Sequence, residues 1–218
     1  MNRVKLLLAD DHSVVRDGLR LILEAQPDID VVGEAADGRT AFRQAKKLRP
    51  DVVLLDVAMP QLNGIEAAER IHAFDPSIRI VILSMHSSKE HILRALRAGA
   101  TGYVLKESAA AEVLSAVRDV LAGRRYLSHK VSEHVIEALL HPDDGDHLET
   151  PLEQLSPRER EVLQLVAEGK SSAEIGRILF LSPKTVDTYR SRLMHKLEVG
   201  DIASLVRFAV RHGIVPAD

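Results

Sequence analysis

Short apolar runs alternate with amphipathic stretches through the first 122 residues of the chain. Val4–Leu8, Asp30–Glu34, Val52–Leu55, Ile78–Leu83 and Gly102–Leu105 have strand length and are mostly apolar throughout, which predicts five β-strands. Near-continuous apolarity implies burial on both faces, and hence a parallel sheet covered by helices. The intervening segments supply those helices. Ser13–Ala25 gathers Val15, Leu19, Ile22 and Leu23 on one helical face, and Gly38–Leu48 does the same with Ala41, Phe42, Ala45 and Leu48. Ile65–Phe74, Lys89–Ala98 and Ala111–Leu121 predict three more helices, so the fold class is α/β, a (βα)5 doubly wound parallel sheet.

Beyond residue 122 the strand pattern disappears. Residues 128–140 predict a helix with Val131, Val135, Ile136, Leu139 and Leu140 at helical spacing, and His141–Pro151, rich in Asp, Gly and Pro, reads as a flexible linker. Ser156-Pro157-Arg158-Glu159 combines a capping residue, proline at the first helical position and glutamate at the third; Ser171 and Glu174 repeat the capping-box spacing. Helices are therefore expected over about 157–168 and 172–179, from Ser182-Pro183 onward, and over Asp201–His212. The expected organisation is an α/β domain over 1–122, a connecting helix and linker over 123–151, and a small all-helical domain over 152–218.

With 45% hydrophobic and 28% charged residues over 218 positions, the composition is that of packed, soluble domains. The longest apolar runs, such as Val52–Leu55 and Ile80–Leu83, fall far short of the roughly 18 residues of a membrane span, so no membrane partner is expected. Met1–Lys5 leads into a strand without the apolar segment of a secretory signal, and the absence of cysteine fits a reducing compartment. Cytoplasm is the expected location. The net charge of -3 conceals local asymmetry: residues 141–150 hold four acids and no Lys or Arg, whereas Ser182–Leu197 carries Lys184, Arg190, Arg192 and Lys196 against Asp187 alone.

Charge also marks the ends of three predicted strands: Asp10-Asp11 after the first, Asp56 after the third and Lys106 after the fifth. In an open α/β sheet the carboxyl ends of the strands line the ligand crevice, so these groups are expected to converge. Carboxylates within about 4 Å repel by roughly 4 kcal/mol per pair at an effective dielectric near 20, which calls for a compensating cation. Mg²⁺ suits one or two carboxylates, water and a phosphate, and the Lys106 ammonium suits a phosphoryl oxygen. A lone Asp at a strand end is ordinarily a turn or cap residue, and Ser84 and Tyr103 have equally ordinary readings as loop and core. The combination is what points to phosphoryl chemistry.

Asp10-Asp11-His12, Leu55 to Pro60, Asn63-Gly64, Ser84 and Gly102 to Lys106 together resemble the receiver domain of bacterial response regulators, a flavodoxin-like fold, over about residues 1–122. The resemblance implies that Asp56 is the phosphoacceptor, attacking a phosphohistidine on a sensor histidine kinase. It also implies that Asp11, Asp56 and the Ala58 carbonyl hold Mg²⁺, with Asp10 acting mainly through water. Ser84 would bind a phosphoryl oxygen, Lys106 would neutralise it, and Tyr103 would turn inward as Ser84 moves. An aspartate serves as a covalent nucleophile for such transfer when its charge is balanced and its target is positioned.

In the second domain, Val186, Tyr189, Leu193 and Leu197 share one helical face. Lys184, Asp187, Thr188, Ser191 and His195 lie opposite, flanked by Thr185, Arg190, Arg192 and Lys196. An apolar inner face, a short polar outer face and basic edges suit a recognition helix in the major groove. Residues 172–179 and the turn Phe180-Leu181-Ser182 complete a helix-turn-helix. Leu155 to Leu163, Gly169-Lys170-Ser171, Glu174-Ile175 and Leu181 to Val186 resemble the LuxR-type DNA-binding domain over roughly 152–215; with the receiver they resemble a NarL/FixJ-type response regulator, near its GacA/UvrY-like members.

The DNA-contacting positions expected from this reading are Lys184, Thr185, Asp187, Thr188, Arg190, Ser191, Arg192 and Lys196. Asp187 has two readings, a helix cap or an acceptor for cytosine. Ala203, Leu205, Val206 and Ala209 form either a dimer face or the closing side of the core.

The expected function is that of a phosphorylation-controlled transcription factor. It would bind double-stranded promoter DNA as a phosphorylation-linked homodimer, and would not be an enzyme beyond phosphoryl transfer and slow self-dephosphorylation. An aspartyl-phosphate phosphohydrolase would carry an acid at position 58, where this chain has Ala. A third reading retains DNA binding and makes the receiver a dimerisation module indifferent to phosphorylation.

Overall fold

The computed structural model describes residues 3–107, 110–140, 151–152 and 154–215. The chain divides into two compact units, residues 1–143 and 144–218. The expected linker at 141–150 lies outside the described residues.

In the first unit, strands β1 (Val4–Ala9), β2 (Ile29–Ala35), β3 (Val52–Asp56), β4 (Arg79–Ser84), β5 (Gly102–Leu105) and β6 (Tyr126–Leu127) form one sheet in the order β2-β1-β3-β4-β5-β6. Every pairing is parallel. Alternate side chains along each strand enter separate cores. Leu7, Val53 and Ile80 pack with Ala41 and Ala45 of α2 (Gly38–Leu48), Ala67 and Ile71 of α3 (Gly64–Phe74), and Ile92 of α4 (Lys89–Arg97). Leu6, Leu54 and Val81 pack instead with Leu23 of α1 (Ser13–Glu24) and Val117 of α5 (Ala110–Leu121). The period-two geometry of a strand produces this division, and helices on both faces explain why the strands are apolar throughout.

The five predicted strands and five helices are present, with ends displaced by a residue or so. The sixth strand is an addition. Tyr126 and Leu127 pair with Gly102 and Tyr103, and α6 (His129–Leu140) follows, burying Val131 in the core shared by α2, α3 and α4. Thus the segment expected as a connector contributes to the sheet and core of the first unit. Two residues in an edge strand carry too little alternation to be recognised from sequence.

The second unit contains α7 (Pro157–Ala167), α8 (Ser172–Leu179), α9 (Pro183–Lys196) and α10 (Ile202–Arg211) around Val162, Leu163, Ile175, Val186, Leu193 and Leu205. Both predicted capping boxes form: Ser156 with Glu159, and Ser171 with Glu174. Ser182 and Asp201 cap α9 and α10, accepting from the Thr185 and Ser204 amides. Gly176 allows the turn after α8 to close, because a Cβ there would stand 2.6 Å from the Leu181 carbonyl oxygen. Leu205 and Ala209 are buried, which supports a core role for those two positions, while Ala203 is exposed.

Candidate functional site

The order of the sheet gathers the acidic markers. β1 and β3 are neighbours, and their carboxyl ends bring Asp10, Asp11 and Asp56 together. One ligand atom from each, and one from His12, all lie within 4.8 Å of one another. Asp10 and Asp56 are buried at the strand ends, whereas Asp11 is partly exposed. Lys106, beyond β5, extends its ammonium to within 2.8 Å of both Asp10 Oδ2 and Asp56 Oδ2. The expected convergence of Asp10, Asp11, Asp56 and Lys106 is therefore present.

A glycine determines how the loop beside Asp56 folds. Asn63 caps α3 by accepting from the Glu66 amide at 3.0 Å, and Gly64 follows it under the Asp56 backbone. A Cβ at Gly64 would stand 2.0 Å from the Asp56 carbonyl oxygen, so only glycine permits this approach. The Ala58 amide donates to the Asp56 carboxylate.

Burial raises the Asp56 pKa, and Asp10 adds to the rise while Lys106 opposes it; the result is about 6. Burial pulls the Lys106 pKa down, but Asp56 and Asp10 outweigh it and hold the ammonium above its ordinary range. The site thus contains one cation and three acids in a poorly solvated space. A further cation is favoured there. Asp11 Oδ1 is shielded from solvent and receives no well-aligned hydrogen bond, although His12 Nδ1 stands 2.7 Å away. This hard oxygen set fits Mg²⁺.

Ser84, at the carboxyl end of β4, and Tyr103, within the adjacent β5, are fully buried. The Ser84 hydroxyl accepts from the His86 amide at 2.9 Å, and the Tyr103 hydroxyl donates to the His86 carbonyl at 2.7 Å. Burial pushes the Tyr103 hydroxyl up to about 12, so it is a donor at any physiological pH. Both groups grip the loop that leads from β4 into α4.

On α9 the apolar face is inward as expected, with Val186 and Leu193 buried; Lys184, Thr188, Ser191, Arg192 and His195 are exposed. Several predicted contacts have intramolecular engagements as well. Thr185 serves the cap, its hydroxyl 2.8 Å from that of Ser182. Ser172 of α8 links two others: its hydroxyl donates to Asp187 at 2.6 Å and accepts from Arg190 at 2.9 Å. Thr188 bonds back to the Lys184 carbonyl at 3.0 Å. Lys196 pairs with buried Glu159 at 2.7 Å and donates to the Gln154 carbonyl at 3.1 Å, tying α9 to the start of α7. Lys196 thus has a place in the domain's own scaffold as well as on the basic edge of α9. Sequence spacing identified its basic edge but held no sign of a partner 37 residues away.

A sheet that presents a buried aspartate beside a lysine, joined in one chain to a helix-turn-helix, defines a signal-receiving DNA-binding protein. Models of two families match: the response regulator receiver domain over residues 6–118, and the bacterial regulatory proteins of the luxR family over 153–209. The chain is similar to the transcriptional regulatory protein LiaR of Bacillus subtilis, 40% identical with 97% of this chain and 99% of that protein covered. It is 36% identical to the response regulator UvrY of Escherichia coli, with 99% and 97% covered. Among solved structures, the RcsB–DNA complex matches with a TM-score of 0.59 at 29% identity, covering 95% of this chain and 98% of that one. The chain belongs to the response regulators that join a receiver domain to a LuxR-type DNA-binding domain, and it is a transcriptional regulator.

Proposed function

We propose that Asp56 accepts a phosphoryl group from a phosphohistidine of a cognate sensor histidine kinase, and that this modification controls binding of promoter DNA through α9. The observation that carries this reading is the Lys106 ammonium, 2.8 Å from both Asp56 and Asp10 at the ends of their strands. An Asp56 carboxylate oxygen forms the new bond to phosphorus, the phosphorus–nitrogen bond of phosphohistidine breaks, and its electron pair leaves on the imidazole. Lys106 offsets charge on the phosphoryl oxygens. Asp10, Asp11, Asp56 and the Ala58 carbonyl are the groups that would hold Mg²⁺, which supplies charge neutralisation and orientation when bound.

Ser84 ends β4, between β3 with its Asp56 and β5 with Lys106 beyond it, and Tyr103 holds the next loop through the His86 carbonyl. Recruitment of Ser84 by a phosphoryl oxygen competes with its bond to the His86 amide and thereby alters the β4–α4 loop. The altered loop shifts the protein toward a form that dimerises on paired half-sites about 10 bp apart. On the DNA, Lys184, Thr188, Ser191 and Arg192 form the outward contact set; Asp187 and Arg190 join it by exchanging their bonds to Ser172. No helix among the described residues is long and apolar enough to cross a membrane, which supports a cytoplasmic setting. Ala58 removes the acid that a turnover phosphohydrolase would need, and supports a signalling role.

Incubation with phosphoramidate and Mg²⁺, followed by intact mass measurement and footprinting, tests the proposal. Wild-type protein should gain one hydroxylamine-labile phosphoryl group and occupy its DNA more strongly. Labelling that persists in Asp56→Asn, or occupancy indifferent to labelling, would overturn it.

A further inference from the structure

We infer that Arg16 is the positioning residue of the cation site: its guanidinium locks the turn after β1 so that Asp11 faces Asp10 and Asp56. This rests on the Mg²⁺ reading above. Arg16 lies in the first turns of α1, with its side chain mostly buried. Its Nη1 donates to the Asp10 carbonyl at 2.7 Å, while Nε donates to Glu34 Oε2 at 3.0 Å. Glu34 sits on β2 in register with Leu8, and its other carboxylate oxygen lies 3.4 Å from Arg20 Nη1. One carboxylate on the edge strand thus anchors two arginines of α1.

The result is that Asp10 is held at both of its backbone groups. The Asp10 amide donates to the Ala35 carbonyl at 3.1 Å, and the Asp10 carbonyl accepts from Arg16. Because the peptide bond is planar, fixing the Asp10 carbonyl also fixes the direction in which the Asp11 nitrogen and Cα leave. The Asp10 side chain is held independently, by the His12 amide at 2.9 Å and by Lys106. Asp11 is held more loosely, its Oδ1 standing 2.7 Å from Nδ1 of the exposed His12 imidazole. The Asp11 side chain is 29% exposed, and repulsion from Asp10 and Asp56 favours its rotation toward water. Arg16 acts through the backbone, fixing where the Asp11 Cα stands and hence which rotations bring its carboxylate to the cation, without itself touching the Asp10, Asp11 or Asp56 side chains.

The task calls for a guanidinium. Its planar fork reaches two acceptors in different directions at fixed geometry, whereas a lysine ammonium is a single point charge on a flexible stem. Partners outside the coordinating set typically change metal affinity 10–100-fold when removed, and Arg16 falls in that class.

Calorimetric titration of the full chain with Mg²⁺ tests the inference in wild type, Asp11→Asn, Arg16→Gln, Arg16→Lys and Glu34→Gln. Wild type should bind, Asp11→Asn should lose binding, and Arg16→Gln should bind about 10-fold or more weakly. Arg16→Lys should recover only part of the loss. Glu34→Gln, which loosens the same guanidinium by a milder surface change, should weaken binding less than Arg16→Gln and serves as the readout if Arg16→Gln does not fold. Wild-type Kd values in Arg16→Gln and Glu34→Gln, or a lowered melting temperature with unchanged Kd, would overturn the positioning role alone. Failure of wild type to bind Mg²⁺ would overturn the cation reading and this inference with it.

Discussion

The receiver site and the outer face of α9 handle charge in opposite ways. At the first, Asp10 and Asp56 are withdrawn from solvent and held by one ammonium, so each group has few alternatives. On α9 the polar groups are exposed, and several bond provisionally to their own domain through Ser172, Ser182 and the Lys184 carbonyl. Burial makes the first site reactive, because charge left unsatisfied there is costly and a phosphoryl group with its cation relieves it. Exposure makes the second adaptable, since water or a phosphate can replace each bond at small cost. Substitutions should therefore act sharply at the first site and gradually at the second.

The largest effects are expected around Asp56. Asp56→Asn should abolish phosphoryl incorporation, and Lys106→Ala should slow it by about 100-fold or more, as expected when a group that stabilises developing charge is removed from a low-dielectric site. Quench-flow or gel measurements with a small phosphodonor provide the check. Incorporation by Lys106→Ala at the wild-type rate would break the contrast, since it would mean that solvent supplies the balancing charge.

On α9 the changes should be smaller and readable in salt dependence. Removing one phosphate contact lowers the slope of log K against log salt by about 0.9, so Lys184→Ala and Arg192→Ala should each do so. Lys196→Ala should leave that slope intact and instead destabilise the helical unit by about 1 kcal/mol, because it withdraws a donor from buried Glu159. Fluorescence anisotropy across a salt series, paired with thermal unfolding, separates the two behaviours. A slope change in Lys196→Ala without loss of stability would return that residue to the DNA face.

The two units should also respond oppositely to pH. Asp56 is raised from 3.8 to about 6, so the folded state holds its proton longer than the unfolded chain does. Stability contributed by Asp56 is then present at low pH and declines as pH rises from about 4 through 6, in the absence of divalent cations. Glu159 behaves in reverse. Burial alone would raise its pKa, but bonds from Lys196 and Ser156 outweigh burial and lower it below 4.5. Its contribution is present above 4.5 and disappears as pH falls through the lowered value. Hydrogen exchange should show protection in β3 falling as pH rises from about 4 to 6, and protection in α7 rising with pH only below about 4.5. Asp56→Asn should flatten the first trend, and Glu159→Gln the second.

How much of this was legible in the sequence depends on whether the relevant partners are close along the chain or only in space. Strand ends carrying Asp10, Asp56 and Lys106 could be placed because apolar runs define strands and parallel sheets place their carboxyl ends together. The capping boxes at Ser156 and Ser171 are local, spaced by three residues, and were equally readable. Lys196–Glu159, Arg16–Glu34 and the pairing of β6 with β5 each join residues that only the fold brings together, and no short-range periodicity reports them. Asn63-Gly64 was already part of the sequence pattern beside Asp56, but that a Cβ at Gly64 would stand 2.0 Å from the Asp56 carbonyl oxygen is visible only in the fold.

The smallest expected effect lies at the cap of α9, and it probes whether local structure on the adaptable side is separable from DNA contact. Ser182 accepts from the Thr185 amide at 3.1 Å while its hydroxyl meets that of Thr185. Ser182→Ala should cost about 1 kcal/mol by leaving the first-turn amide without its acceptor. Thr185→Ala removes the second hydroxyl but keeps the amide bond, and should cost only a few tenths of that. If Thr185 serves the cap alone, Thr185→Ala should bind DNA as wild type does once both are fully folded. A loss of affinity in Thr185→Ala exceeding its loss of stability would instead show that the hydroxyl turns from Ser182 to DNA, extending to Thr185 the exchange of bonds proposed for Asp187 and Arg190.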